Sequence, residues 1–188
     1  MSKDWTGNNK SVYTCLGASN LKLLRYEWIW EKTSASNHLN CNRMPMKAHE
    51  NILVFYKHLP IYNPQKTHHH KPTHSYTKYI ATQNNSEIYG KATKEVQGGW
   101  NTDRYPRSVQ IFSSDKQKLA LHPTQKPVKL LEYLIKTYTN ENDIVLDNCM
   151  GSGSTGIAAI NTNRRFIGME LNEKYFEIAK ERIEKGEK

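Results

Sequence analysis

Apolar residues in the last third of the chain recur every three or four positions in two separate stretches. The first stretch follows Pro127, which suits the first turn of a helix, and its apolar residues are Val128, Leu131, Leu134, Ile135 and Tyr138. In the second stretch, near the C-terminus, they are Tyr175, Phe176, Ile178, Ala179 and Ile183, with charged residues between them. Each pattern predicts an amphipathic helix whose apolar face lies on a sheet.

A continuous apolar run between those two helices predicts a short strand. Residues 144–146 form the run, and Asp147 closes it. Gly151 and Gly153 follow. Two glycines at this spacing let the backbone turn sharply and come close to a ligand, because no Cβ atom stands in the way. The strand and the glycine-rich turn therefore predict a binding site for a small molecule.

A third helix and a second strand complete this unit. Residues 157–160 supply the apolar part of the helix, residues 166–169 have the pattern of a strand, and Glu170 follows 19 positions after Gly151. In a doubly wound sheet, an acidic residue at the end of the second strand accepts hydrogen bonds from ribose hydroxyls. The order predicts an α/β, Rossmann-like fold with Glu170 beside a ribose.

The turn also matches the dinucleotide pattern, because Gly151, Gly153 and Gly156 satisfy G-x-G-x-x-G. That match is weak when taken alone. Asp147 lies four residues before the first glycine, where a carboxylate would repel a pyrophosphate but could hold the ammonium of an amino-acid moiety. The turn thus favours a ligand with an amino-acid portion, and a nicotinamide-dependent enzyme is an alternative.

Two motifs together carry a family resemblance. One is His-Pro-Thr-Gln-Lys-Pro at 122–127, and the other is Asp-Asn-Cys-Met-Gly-Ser-Gly-Ser-Thr at 147–155. They resemble the DNA amino-methyltransferases, which methylate adenine N6 or cytosine N4 with S-adenosylmethionine (SAM). The family loop is Asp-Pro-Phe-x-Gly-Ser-Gly-Thr-Thr, so Asn148, Cys149 and Ser154 depart from it.

The resemblance extends upstream, where 25–32 and 46–55 are similar to two late sheet strands of the family. The order resembles a circularly permuted arrangement, in which the catalytic half comes first and the cofactor half second. It implies a three-layer Rossmann-like methyltransferase sheet with an inserted target-recognition region. We expect the late strands in residues 1–56, the DNA-facing insertion in 57–118 and the cofactor-binding half in 119–188.

The resemblance also implies a cofactor site for SAM. Asp147 and the backbone of 151–153 would hold the methionine portion, Glu170 would bind the ribose hydroxyls, and residues 124–126 would close over the amino-acid end. The expected cofactor-binding residues are Thr124, Gln125, Lys126, Asp147, Cys149, Gly151, Ser152, Gly153, Thr155 and Glu170.

The catalytic motif of the family, Asp/Asn/Ser-Pro-Pro-Tyr/Trp, is missing from this sequence. None of the seven prolines is adjacent to another. The motif holds the target amine and stacks an aromatic ring on the extruded base, so no residue here is assigned to catalysis. We expect a sheet that is incomplete and a chain that transfers no methyl group alone. A separate N-terminal fragment could supply the motif, or the chain could be a non-catalytic remnant such as a degenerate prophage product.

Charge indicates a polyanionic partner. The chain carries +9, and residues 57–110 hold eight Lys and Arg against three acidic residues, interleaved with tyrosines and a tryptophan. Cations mixed with aromatic rings are typical of a nucleic-acid surface, although a solvated loop is the alternative. The resemblance places target recognition here and implies double-stranded DNA as partner, in a bacterial or phage restriction-modification setting. The expected DNA-binding residues are Arg43, Lys66, Lys71, Arg104 and Arg107. Neither the target sequence nor the choice between adenine and cytosine follows.

Other site classes are not supported. Residues 68–70 are three consecutive histidines, whose side chains cannot all converge on one ion without an unusual backbone, so we expect no metal site. Cys15, Cys41 and Cys149 are odd in number and form no Cys-x-x-Cys pair, which favours the reducing cytoplasm. No apolar run is long enough to span a membrane, and the polar N-terminal residues do not form a secretory signal.

Overall fold

The computed structural model describes residues 12–72, 102–114, 121–122 and 124–186. Within these ranges it contains four α-helices, five strands and one short 3₁₀ turn. In chain order the helices and strands are α1 (Val12–Ser19), β1 (Leu24–Ser36), β2 (Lys47–Phe55), β3 (Val109–Phe112), α2 (Val128–Tyr138), β4 (Ile144–Asp147), α3 (Ser154–Asn161), β5 (Arg165–Gly168) and α4 (Glu173–Lys185).

The first three strands form one sheet in the order β2-β1-β3. Strand β1 pairs with β2 in antiparallel register, so that Trp30 lies opposite Glu50, and it pairs with β3 in parallel register. Trp28 and Trp30 are buried on the same face of β1, because side chains two positions apart in a strand point the same way. Both strands expected from the resemblance are present, and β1 continues beyond the predicted residue 32 to Ser36.

The glycine-rich unit forms a second, two-stranded parallel sheet of β4 and β5. One face packs on α2 and α3, where Ile135, Ala158 and Ala159 form a buried core. The opposite face carries Ile144 and Ile167, which are 51% and 47% exposed. Strand β5 begins and ends one residue earlier than the sequence predicted, so Met169 and Glu170 lie in the loop after it.

Helix α2 connects the two sheets through opposite faces. Its Ile135 lies in the core under β4 and β5. On the opposite face, the Tyr133 ring packs edge-on against Trp28 at 5.9 Å between centroids. At the last residue of the helix, the Tyr138 hydroxyl accepts a 2.6 Å hydrogen bond from the indole nitrogen of Trp28. A helix that is apolar on two sides is expected between two layers.

The described residues from Pro64 to Pro106 form a compact unit apart from the rest. Residues 67 and 104 pair in antiparallel fashion, since the Thr67 amide donates to the Arg104 carbonyl at 3.0 Å and the Arg104 amide donates to the Thr67 carbonyl at 2.8 Å. The part of the predicted DNA-facing region from 73 to 101 lies outside the described residues. Across the ranges that are described, the helices are too short or too polar to cross a membrane.

Candidate functional site

The glycine turn lies between β4 and α3 and is anchored on both sides. The Met150 amide donates to the Met169 carbonyl at 3.0 Å, which extends the β4–β5 pairing into the turn. Gly151 and Gly153 have φ values of 53° and 79°, the left-handed region that glycine adopts without a steric penalty. A Cβ atom at Gly153 would lie 3.0 Å from Ala179 Cβ. The turn therefore requires glycine for its backbone and for its contact with α4.

Two carboxylates flank this turn, and both accept hydrogen bonds from its backbone. Asp147 accepts from the Cys149 amide at 3.0 Å and from the Thr155 hydroxyl at 2.6 Å. Glu170 accepts from the Gly151 amide at 2.9 Å and from the Asn172 amide at 3.0 Å. Since an ionised carboxylate has about four acceptor positions, each side chain retains capacity for a ligand.

Neighbouring groups in the turn shift the pKa values of Glu170 and Cys149. Hydrogen bonds from the Asn172 and Gly151 amides lower the pKa of Glu170 below its ordinary value, because they stabilise the charged form. Partial burial raises the pKa of the Cys149 thiol, and the negative charges of Asp147 and Glu170 raise it further. At neutral pH the turn therefore presents an anionic carboxylate beside a neutral thiol.

Residues 121–122 and 124–127 form a loop that reaches the turn through His122. The His122 ring packs edge-on against Tyr175 of α4 with ring centroids 4.4 Å apart, and it lies 3.3 Å from the point where a Cβ atom at Gly151 would stand. The loop is also bonded internally, since the Thr124 hydroxyl lies 3.1 Å from His122 Nδ1. Gln125 is buried, and its side-chain oxygen accepts from the Leu121 amide at 3.3 Å.

Lys126 points to the first sheet, where it forms an ion pair with Glu50 of β2 at 2.7 Å. Lys32 of β1 forms a second ion pair with Glu50, also at 2.7 Å. Partial burial opposes ionisation of Glu50, but the hydrogen bonds and charges of Lys126 and Lys32 outweigh it and lower the pKa of this carboxyl. The structure thus engages Lys126 in a protein contact, whereas the resemblance implied that it closes over the ligand.

The residues described so far fit a ligand with amino and hydroxyl groups. The Ser154 hydroxyl, at the first residue of α3, is buried and has no hydrogen-bond partner within the described part of the chain. A buried polar atom of this kind indicates a missing ligand or water. With the spare acceptor positions of Asp147 and Glu170, the donor and acceptor set fits a nucleoside that carries an amino-acid group, such as SAM.

The predicted DNA-binding residues lie in both compact units. Arg43 and Arg107, in one unit, have exposed side chains. In the other unit, Lys66 lies over the Tyr105 ring at 4.4 Å from its centroid, and Lys71 is exposed. The Arg104 guanidinium donates to the carbonyls of Asp103 and Lys71, so it supports the backbone of its own unit.

The histidine run makes local contacts in the structure. His68 Nδ1 lies 2.8 Å from the Asp103 carboxylate, and His70 Nε2 lies 2.6 Å from the Thr67 hydroxyl. Among the residues that the structure describes, no group of three or more His, Cys, Asp or Glu side chains could hold a metal ion.

Three contributors to the site were not predicted as site residues. Arg182 of α4 donates to the Ser152 carbonyl in the turn, Tyr175 packs on His122, and Glu50 pairs with Lys126. Tyr175 was interpreted only as part of the apolar face of a helix, Arg182 was given no role, and their spacing carried no further signal. Glu50 lies 76 positions from Lys126, so no local pattern could connect them.

Comparison with protein families gives one match that covers most of the chain. A family model described as DNA methylase matches residues 6–181. Among curated proteins, the type II methyltransferase M2.LlaDCHI of Lactococcus lactis subsp. cremoris is 33% identical over 179 residues. The alignment covers 95% of this chain and 57% of that protein. The chain therefore spans little more than half the length of this relative.

Solved structures give the same result for the fold. The crystal structure of the M1.HpyAVI–SAM complex is 30% identical to this chain, with a TM-score of 0.56, and the match covers 85% of this chain and 62% of that one. The cytosine-N4-specific PvuII DNA methyltransferase has a TM-score of 0.61 at 16% identity, with 95% and 59% coverage, and so bears on the fold alone. These likenesses confirm the predicted α/β, Rossmann-like class.

Proposed function

The chain belongs to the DNA methylase family of the adenine-N6 and cytosine-N4 type, and from this premise we propose that it is the SAM-binding part of a site-specific DNA methyltransferase. The observation that carries the proposal is the glycine turn, because Asp147 and Glu170 each accept one of its backbone amides. This arrangement holds two acceptors at fixed positions beside the glycine turn. The family is SAM-dependent, and the turn is where this chain would bind the cofactor.

We further propose how the residues divide the cofactor between them. Asp147 accepts from the ammonium of the methionine portion, and the backbone of Gly151, Ser152 and Gly153 lies against that portion. Glu170 accepts hydrogen bonds from the ribose hydroxyls. Thr124 and Gln125 close over the amino-acid end of the cofactor. When bound, SAM supplies the electrophilic methyl group. The chain itself contributes orientation of the cofactor, which alone can lower a barrier by several kcal/mol when the reacting atoms are aligned.

Methyl transfer also needs groups that hold the target amine and accept its proton, and these belong to the Pro-Pro motif of the family. None of the 188 residues forms such a motif, so we propose that the chain transfers no methyl group alone and acts with a segment that carries it. A radiolabel assay with SAM and duplex DNA tests this. We expect no transfer by the chain and transfer after co-expression with a segment that contains Pro-Pro-Tyr. Robust transfer by the chain alone would contradict the proposal.

A second candidate is a non-catalytic remnant that binds the cofactor or DNA. The same radiolabel assay distinguishes the two candidates. Co-expression with the Pro-Pro segment would restore methyl transfer in a split enzyme, but not in a remnant. The departures at Asn148 and Cys149 from the family loop favour this candidate, whereas the intact hydrogen bonds of Asp147 and Glu170 favour the enzyme.

Double-stranded DNA is the proposed macromolecular partner. The support is the net charge of +9 and the exposure of Arg43, Lys71 and Arg107. Contacts from such side chains to phosphates would be independent of sequence and sensitive to salt, because condensed counterions are released. Cys15, Cys41 and Cys149 are exposed free thiols, and we propose the reducing cytoplasm as the place of action.

Isothermal titration with SAM, its demethylated product and NAD tests the cofactor proposal. We expect the two sulfur compounds to bind and NAD not to bind. Glu170→Ala should weaken SAM binding by about tenfold or more, since it removes hydrogen bonds to a charged group. Glu173→Ala is the matched control, because Glu173 is an exposed carboxylate three positions further on. Binding of NAD alone, or an equal loss in both variants, would contradict the proposal.

A further inference from the structure

The ion-pair cluster of Lys32, Glu50 and Lys126 lies between the first sheet and the loop that leads into α2. Both ammonium groups lie 2.7 Å from Glu50, one on each carboxylate oxygen. They also lie over the face of Trp30, at 5.4 and 5.9 Å from the ring centroid. Trp30 is 3% exposed, so the two ion pairs pack against a buried aromatic ring.

Lys126 is the one member of the cluster that belongs to the loop. Its neighbours Gln125 and Pro127 are both buried, so the backbone of Lys126 cannot shift without moving them. The other end of the loop carries His122, which contacts Tyr175 and stands over Gly151. The loop is therefore fixed at the glycine turn by His122 and at strand β2 by the Lys126–Glu50 pair.

We infer that Glu50 is a positioning residue for the cofactor site, which holds the loop of residues 121–122 and 124–127 over the glycine turn by binding Lys126. The inference rests on the proposed function and deepens it, because it makes Lys126 a tether rather than a direct ligand of the cofactor. The Glu50 side chain is 30% exposed and that of Lys126 is 43% exposed, so solvent screens this pair in part. The second ammonium group, that of Lys32, is 13% exposed, so replacing the Glu50 carboxylate by a neutral amide leaves two ammonium groups beside each other without a counter-charge.

Hydrogen exchange without any ligand tests the tether directly. Glu50→Gln should increase exchange at the Gln125 amide, which donates to the His122 carbonyl at 3.1 Å, and leave the paired amides of β1 and β2 protected. Two controls should leave the loop unchanged. Lys32→Met keeps the Glu50–Lys126 pair, and Glu27→Gln alters another carboxylate of the same sheet, whose partners are Tyr13 and Asn51. Unchanged exchange in Glu50→Gln, or a rise across the whole sheet, would overturn the inference.

Cofactor titration then separates a tether from a direct contact. Glu50→Gln should weaken SAM binding by about three- to tenfold, because misplacement of a supporting group lowers affinity without removing a ligand contact. The double variant Glu50→Lys with Lys126→Glu keeps two ammonium groups and one carboxylate in the cluster. If Lys126 acts as a tether, the swap should restore both the exchange protection and the affinity.

Restored protection without restored affinity would show that Lys126 contacts the cofactor itself, and would overturn the inference. Failure of the unaltered chain to bind SAM would instead contradict the proposed function. The exchange experiment would still decide whether Glu50 holds the loop, because it uses no ligand.

Discussion

At the scale of single residues, the site is organised by carboxylates that bind backbone amides. Asp147 and Glu170 hold the two ends of the glycine turn through such bonds. The sequence predicted both acids, since each stands at the end of a strand in a strand–turn–helix–strand pattern. It did not predict that they would stabilise the turn as well as the ligand, because the amides they bind are identical in every residue and leave no mark in a sequence.

The pH dependence of Glu170 follows from its lowered pKa. Because the pKa in the folded chain lies below the ordinary value of 4.5, the ionised side chain stabilises the fold fully above that pH. The contribution is lost as the pH falls through the folded value. Thermal unfolding of the unaltered chain and of Glu170→Gln should therefore differ at pH 7 and converge once the pH falls below the folded pKa of Glu170. A difference that widens on acidification would contradict this assignment, and Glu177→Gln, at an exposed position inside α4, serves as a control for the loss of one negative charge.

At the scale of elements, the sequence predicted those helices and strands whose apolar residues recur at helical spacing or form a continuous run. Helices α2 and α4 were predicted from one apolar face each, and β4 from its apolar run. Strand β3 was not predicted, because four residues flanked by polar ones are too few for a period to be visible. Strand β5 was displaced by one residue, because Arg165 is a charged residue on an exposed position of the strand and pairs with Ile144.

Alanine substitutions at two glycines can measure how tightly the glycine turn packs on α4. Gly153 and Gly186 both have positive φ, but a Cβ atom at Gly153 would meet Ala179 at 3.0 Å, whereas one at Gly186 would meet nothing within 4 Å. Gly186→Ala should reduce the free energy of unfolding by about 1 kcal/mol, the cost of the left-handed backbone. Gly153→Ala should cost about 2–4 kcal/mol, since the helix must also shift. Equal losses in urea denaturation would show that the α4 contact is not tight.

At the scale of the whole molecule, the described residues form two sheets that share no strand, and among these residues only one face of the β4–β5 sheet is covered by helices. Parallel sheets are normally buried on both faces, yet Ile144, Leu146 and Ile167 are each about half exposed. Within the described residues, β4 pairs with β5 alone. Open strand edges and apolar faces favour association with other chains, which no pattern along the sequence could show, because burial depends on what else packs there.

The chain should therefore self-associate in the absence of a segment that covers this face. Sedimentation at micromolar concentration should show dimers or larger species, and Leu146→Lys should reduce them because it places a charge on the apolar face. Leu59→Lys is the matched control, since Leu59 is 84% exposed and lies outside the strands. Association that is equal in all three proteins would show that another surface is responsible.

The position of α2 between the sheets should also be visible in how related sequences vary. The Tyr138 hydroxyl accepts from Trp28 and bonds Tyr26 across 112 positions of the chain. A lineage that replaced Tyr138 by Phe would leave the indole nitrogen of Trp28 without an acceptor, so selection should then replace Trp28 as well. Positions 28 and 138 should consequently change together among homologues, while Ile135, one turn earlier on the same helix, should co-vary with Ala158 and Ala159 instead.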